Sequence, residues 1–109
     1  TVQISTNFDA VMITPLMFEE ASNDRFVEVY NNSKIPYIFF DSEKRDLPFT
    51  KVGYTYETAR WEALKNGSHT TIYLSDKDAD REDVWYFYLN DEKELEVLYK
   101  EIFEKVKML

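Results

Sequence analysis

Thr70-Thr71-Ile72-Tyr73-Leu74 and Val84-Trp85-Tyr86-Phe87-Tyr88-Leu89 are the two runs on which the fold turns. Both are rich in β-branched and aromatic residues, which pack well on a pleated surface, so both read as strands. They flank the polar stretch Ser75 to Asp83, and a hairpin with a long acidic loop is the economical connection. Successive strand side chains alternate, so Trp85, Phe87 and Leu89 face one way and Val84, Tyr86 and Tyr88 the other. Both faces are apolar, which predicts a strand that is central or covered on both sides.

The segment after the hairpin changes period. Leu95, Leu98, Tyr99, Ile102, Phe103 and Val106 recur at three- and four-residue steps, the spacing of one helical face. Asp91 can cap the start with Glu94 three residues on, and Lys100, Lys105 and Lys107 complement the dipole at the end. A helix from about Glu92 to Lys107 follows, its stripe facing a core, because so short a chain needs every apolar face it has. Before the hairpin, Thr55 as N-cap and Asn66-Gly67 as a stop predict an internal helix from about Tyr56 to Asn66. Ala59, Trp61, Ala63 and Leu64 give that helix a mixed apolar face.

The N-terminal half gives weaker signals. Val2 to Thr6 and Ala10 to Thr14 are strand material, and Pro15 ends the second run. A short helix from about Leu16 to Asn23 can follow. Ile35 to Phe40 reads as a strand after a turn at Asn31-Asn32-Ser33-Lys34, and Asp41 to Lys51 as an exposed loop. Phe26 to Tyr30 fits either strand or helix. Paired antiparallel with Ile35–Phe40, it gives an α+β domain. If it is helical, the order strand, helix, strand, helix, strand suggests a parallel, Rossmann-like three-layer sheet. The terminal hairpin favours α+β: one domain with a mixed or mainly antiparallel sheet, a C-terminal helix and one internal helix packed on it.

Asp9 to Pro15 and Ile35 to Ser42 are similar to strand motifs in the ligand-binding cores of lactose-repressor-type regulators, and Tyr54 to Leu74 loosely continues the pattern. These motifs are generic apolar strands. The DNA-binding headpiece and most of both lobes of such a core have no counterpart here, so no family follows.

Composition limits the chemistry. The 109 residues fit one domain, and 44% hydrophobic with 17% aromatic content predicts a folded chain. No cysteine is present, which removes disulfides and thiolate zinc sites and suits a reducing cytoplasm. No apolar run approaches a membrane span, and Thr1-Val2-Gln3-Ile4 does not read as a signal peptide. With only Gly53 and Gly67, no glycine-rich loop exists to cradle phosphate. His69 is the only histidine, and no nucleophile-elbow spacing surrounds it, so it reads as a surface or strand-edge residue. Asp76, Asp78 and Asp80 alternate like the opening of a calcium loop. Arg81 and Phe87 stand where that loop needs glycine and a bidentate glutamate, so no metal is expected. Glu19 with Glu20, and Glu57 with Glu62, read as helix-surface pairs rather than hydrolytic carboxylates. No catalytic group and no cofactor is assigned.

Charge is the feature above background. The net charge of −8 argues against direct binding to nucleic acid or an anionic membrane, which need a basic face. Between Asp76 and Glu96, nine acids (Asp76, Asp78, Asp80, Glu82, Asp83, Asp91, Glu92, Glu94, Glu96) against three bases leave −6. Trp85, Tyr86 and Tyr88 are interleaved with them. Carboxylates set among aromatics suit a surface that occupies the basic cleft of a nuclease or other nucleic-acid-binding protein. In composition the chain resembles small phage anti-CRISPR and anti-restriction proteins and immunity proteins against nuclease toxins. The expected function is therefore a non-catalytic, protein-binding inhibitor acting as a nucleic-acid mimic. Its expected contact residues are Asp76, Asp78, Asp80, Glu82, Asp83, Trp85, Tyr86, Tyr88, Asp91 and Glu92. The alternative is a small Rossmann-like ligand-binding or enzymatic domain with a pocket using Asp41, Tyr54 and Glu57.

Overall fold

A computed structural model describes residues 10–60, 62–90 and 94–109. Within them Val11–Ile13 (β1), Tyr37–Phe39 (β2), Thr70–Asp76 (β3) and Arg81–Phe87 (β4) form one sheet in the order β1-β2-β3-β4. β1 runs parallel to β2, while β2–β3 and β3–β4 are antiparallel, so the sheet is mixed and the domain is α+β. The expected strand at Val2–Thr6 lies outside the described residues.

Parallel neighbours need a long crossover. Here it carries a 3-10 turn at Pro15–Met17, helix Phe18–Ala21 (α1), a 3-10 turn at Asp24–Phe26 and helix Val27–Asn31 (α2). The Phe26–Tyr30 run is thus helical, against the antiparallel hairpin favoured from sequence. Alternation would have put Glu28 on the same side as Phe26 and Tyr30. The helical period instead buries Val27 and Tyr30 and leaves Glu28 in solvent. Asn23 helps by accepting the Arg25 amide at 3.1 Å at the start of the turn.

Two apolar clusters cover the sheet. On one face Phe18, Tyr30 and Phe49 meet Ile13, Tyr37, Phe39 and Tyr73. Phe49 stacks on Phe39 at 4.1 Å, and Tyr30 meets Tyr37 edge-on at 4.9 Å. On the other face Leu98 and Ile102 of helix Leu95–Met108 pack on Ile38 and Ile72, with Trp85 and Phe87 alongside. Helices on both faces match the layering of the Rossmann-like alternative, but the strand directions are those of α+β.

Several sequence expectations are corrected. Phe49 belongs to helix Leu47–Thr50 (α3), so Asp41–Lys51 is not an exposed loop: Ser42, Asp46, Pro48, Phe49 and Thr50 are buried. No continuous helix spans 56–66; the chain makes turns at 56–58 and a 3-10 turn at Glu62–Leu64. The single turn that forms here is tied to the α1 region: Ser22 Oγ accepts the Tyr56 amide at 2.7 Å and Glu19 Oε1 the Glu57 amide at 3.0 Å, groups that a helix starting at this point leaves open in any case. Thr55 and Thr58 add reciprocal side chain–backbone bonds. Trp61 lies outside the described residues, and α1–α3 take the packing role expected of the internal helix. β4 stands at the edge of the described sheet rather than at its centre, yet it is covered on both sides, Trp85 and Phe87 by one cluster and Val84 by the other.

The C-terminal helix (α4) is described from Leu95, with Glu94 at its cap; Asp91 and Glu92 lie outside the described residues. Its buried stripe is narrower than the sequence face. Leu98 and Ile102 are fully covered, whereas Phe103 is 50% exposed and Leu95 42%. Phe103 leans sideways onto Tyr99 at 6.4 Å, which stacks on Phe40 at 5.2 Å. Leu98→Ala should therefore cost about 2–5 kcal/mol in chemical denaturation, and Phe103→Ala less than about 1 kcal/mol. Equal losses would mean that Phe103 is as buried as Leu98.

Acidic hairpin end as the candidate functional site

The β3–β4 ladder runs from Thr70 opposite Phe87 out to Asp76 opposite Arg81. It takes in Ser75, Asp76 and Arg81–Asp83, which the sequence assigned to a long loop. Backbone pairing does not require apolar side chains, and here it outlasts the core beneath it. The true connection is four residues, Lys77 to Asp80. Asp76 shapes it, its Oδ1 accepting from the amides of Asp78 (3.1 Å) and Ala79 (3.4 Å). Asp80 takes the left-handed conformation at φ 51°, which aspartate tolerates better than most residues.

The carboxylates at this end meet three bases. Lys34 pairs with Asp78, Lys77 with Glu28 at 3.1 Å, and Arg81 with Asp83. The hydrogen-bonded ion pair raises the Lys34 amine above its ordinary range and lowers the Asp78 carboxyl. Asp80 and Glu82 are exposed. The hairpin is anchored from below: Tyr73 Oη donates to Asn31 Oδ1 and Ser75 Oγ to the Asn31 carbonyl, both at 2.7 Å, and the Lys34 amide reaches the Ser75 carbonyl at 3.2 Å. Burial pushes the Tyr73 phenol up to about 12.

The structure gathers Asp76, Asp78, Asp80, Glu82 and Asp83 at one end and separates the aromatics from them. Trp85 packs towards α4 with the Lys105 ammonium 4.8 Å from its ring, so it belongs to the core more than to a contact surface. Tyr86 lies on the opposite face, with the Arg45 guanidinium 5.8 Å away. Tyr88 follows the strand and is 45% exposed. Asp91 and Glu92 lie outside the described residues. Glu28 and Lys34 were missed from sequence. Lys34 lies 44 residues from Asp78, and no local pattern marks such a pair.

Elsewhere the candidate chemistry is structural. The His69 ring, 16% exposed, is held between Thr70 Oγ1 (2.8 Å, at Nδ1) and Asp41 Oδ1 (3.4 Å, at Nε2). Thr70 also accepts the Asp41 amide at 3.3 Å and is fully buried, so its hydroxyl is out of reach of a substrate. No group of three or more metal-ligating side chains occurs among the described residues. No helix there is long and apolar enough to cross a membrane. Comparison with protein-family models, with curated proteins and with solved structures finds no match.

One buried acid makes a pH prediction. Burial pushes the Asp46 carboxyl above its ordinary range, partly offset by its hydrogen bonds, including the 3.2 Å bond from Thr50 Oγ1, and by Arg45 and Lys51. The folded state then holds this proton more tightly than the unfolded chain, so stability falls as pH rises through the carboxyl's folded range. Asp46→Asn, which keeps an acceptor for Thr50, should be more stable than wild type at pH 7, with the gap closing as the pH drops towards 4. Melting temperatures across that range check it; a variant less stable at pH 7 would show the carboxylate to be stabilising.

Proposed function

We propose that this protein is a non-catalytic inhibitor that binds a basic protein partner through the acidic end of the β3–β4 hairpin, as a mimic of nucleic acid. The observation that carries this reading is five carboxylates at one hairpin end, two on its four-residue connection and three on the hydrogen-bonded strand ends beside it, in a chain of net charge −8. A ladder paired to its last rung holds the charges in place before binding, which lowers the ordering cost of association. The internal bases do not cancel the surface. Ion pairs as exposed as Lys34–Asp78 and Lys77–Glu28 are screened by water and hold little net stability, so arginines of a partner displace them at small cost. Nucleases and other enzymes with a phosphate-binding cleft, as targeted by anti-CRISPR, anti-restriction and immunity proteins, are the fitting partner class. Affinity capture from a lysate tests this: stoichiometric recovery of a basic nucleic-acid enzyme is expected, and recovery of acidic proteins alone contradicts it.

A second reading rests on a cavity of about 940 Å³ beside β1 and α2, walled by Val11, Ile13, Phe26, Val29 and Tyr37 with the Glu20–Arg25 pair at 3.8 Å. That volume suits a small, mainly apolar ligand. None of Asp41, Tyr54 and Glu57, the pocket residues of the sequence-based alternative, lines it. A bound metabolite in native mass spectrometry would favour this reading.

A further inference from the structure

Against the acidic background, one small hollow is basic. A recess of about 210 Å³ is lined by Lys44, Arg60 and Lys65 with Ala59, Leu64 and a single acid, Glu62. Three cations to one anion give this wall a charge opposite to that of the whole chain. Glu62 makes no ion pair with any of the three among the described residues.

The recess is braced. Ala59 and Leu64 are buried and anchor the segment that carries Arg60 and Lys65. The Arg45 guanidinium clamps the same segment, donating from Nε to the Leu64 carbonyl at 2.7 Å and from Nη2 to the Ala63 carbonyl at 2.9 Å. Lys44 is held by a bond to the Tyr56 carbonyl and by the face of the Tyr56 ring, 4.6 Å from its ammonium. Arg60 donates Nε to the Glu57 carbonyl at 3.0 Å, and among the described residues its two terminal nitrogens make no hydrogen bond or ion pair. Burial, then Arg60 and Lys65, lower the Lys44 amine below its ordinary range, with Glu19 and Glu43 pulling the other way. Convergent cations that raise one another's cost of charging are stabilised by an anion of matching size. Arginine and lysine together suit a tetrahedral oxyanion, the first by paired donors and the second as a point charge.

We propose that the Lys44–Arg60–Lys65 recess binds a phosphoryl group, as free phosphate or as the phosphate of a small monoester. The site is independent of the acidic hairpin end, so the two readings stand or fall separately. The test is a titration of the ¹⁵N-labelled protein with inorganic phosphate and, separately, glycerol 3-phosphate at constant ionic strength, followed by amide shifts. Saturable shifts confined to residues around 44 and 59–65 are expected, with half-saturation at or below about 5 mM. They should be lost in Lys65→Ala and in Arg60→Ala, both at exposed side chains, and kept in Lys34→Ala. The Lys44 amine should titrate higher with phosphate bound. Tighter binding of the monoester marks an ester ligand, and equal binding marks the free anion. Unsaturable shifts, or shifts that survive Lys65→Ala and Arg60→Ala unchanged, overturn the proposal.

Discussion

Phe49→Ala should destabilise the protein by about 3–5 kcal/mol, the largest loss expected from any single truncation described for this chain. Phe49 is fully covered although it lies on a four-residue helix. Its ring meets Phe39 at 4.1 Å, Phe18 at 5.3 Å, Tyr56 at 6.0 Å and Tyr30 at 6.3 Å, so it joins the sheet to the crossover and to the segment after α3. α1, α2 and α3 are too short to hold themselves, since helices of this length are marginal without tertiary packing. Removing the ring therefore leaves a cavity and also loosens three elements. Against a total stability of roughly 5–15 kcal/mol, the variant should begin to unfold at moderate urea concentration. A loss below about 1 kcal/mol would mean that the helical layer is not built around this ring.

The second large effect concerns binding. Asp78→Lys, Asp80→Asn and Glu82→Lys together shift the net charge from −8 by five units while leaving the ladder intact. Asparagine is the choice at residue 80 because the φ of 51° suits it and penalises lysine. Association with the basic partner should slow by about 10–100-fold at low salt, since summed charge governs the encounter rate. The melting temperature should move little, because these side chains are exposed. Tyr88→Ala, beyond the end of the ladder remote from the acids, should leave both rates nearly unchanged. Trp85→Ala should act on stability, because its ring lies in the α4 cluster.

Legibility in the sequence followed the range of the interactions. The hairpin and α4 were readable because each rests on a local signal, β-branched and aromatic content at Thr70–Leu74 and Val84–Leu89, and the 3.6-residue period at Leu98 and Ile102. Tyr56–Asn66 misled because its start signal is real but local: Thr55 and Thr58 cap one turn, and the chain leaves the helical path at residues 59 and 60 before the 3-10 turn at Glu62–Leu64. Phe26–Tyr30 was ambiguous by composition, and the exposed Glu28 decides it only once the sheet side is known. Of the candidate site, the acids were legible as a charge run. Their separation from Trp85 and their pairing with Lys34 depend on strand register and on a turn remote in sequence.

The most direct measurement is the association rate of the wild-type protein and the Asp78→Lys/Asp80→Asn/Glu82→Lys variant with the captured partner, across a salt series from about 20 to 500 mM, where the screening length falls severalfold. Wild type should associate fastest at low salt and slow steeply as salt rises, while the variant starts slow and stays nearly flat, the two converging at high salt. Rates that are salt-independent and the same for both proteins would contradict the account and leave the acidic hairpin end as solvated surface.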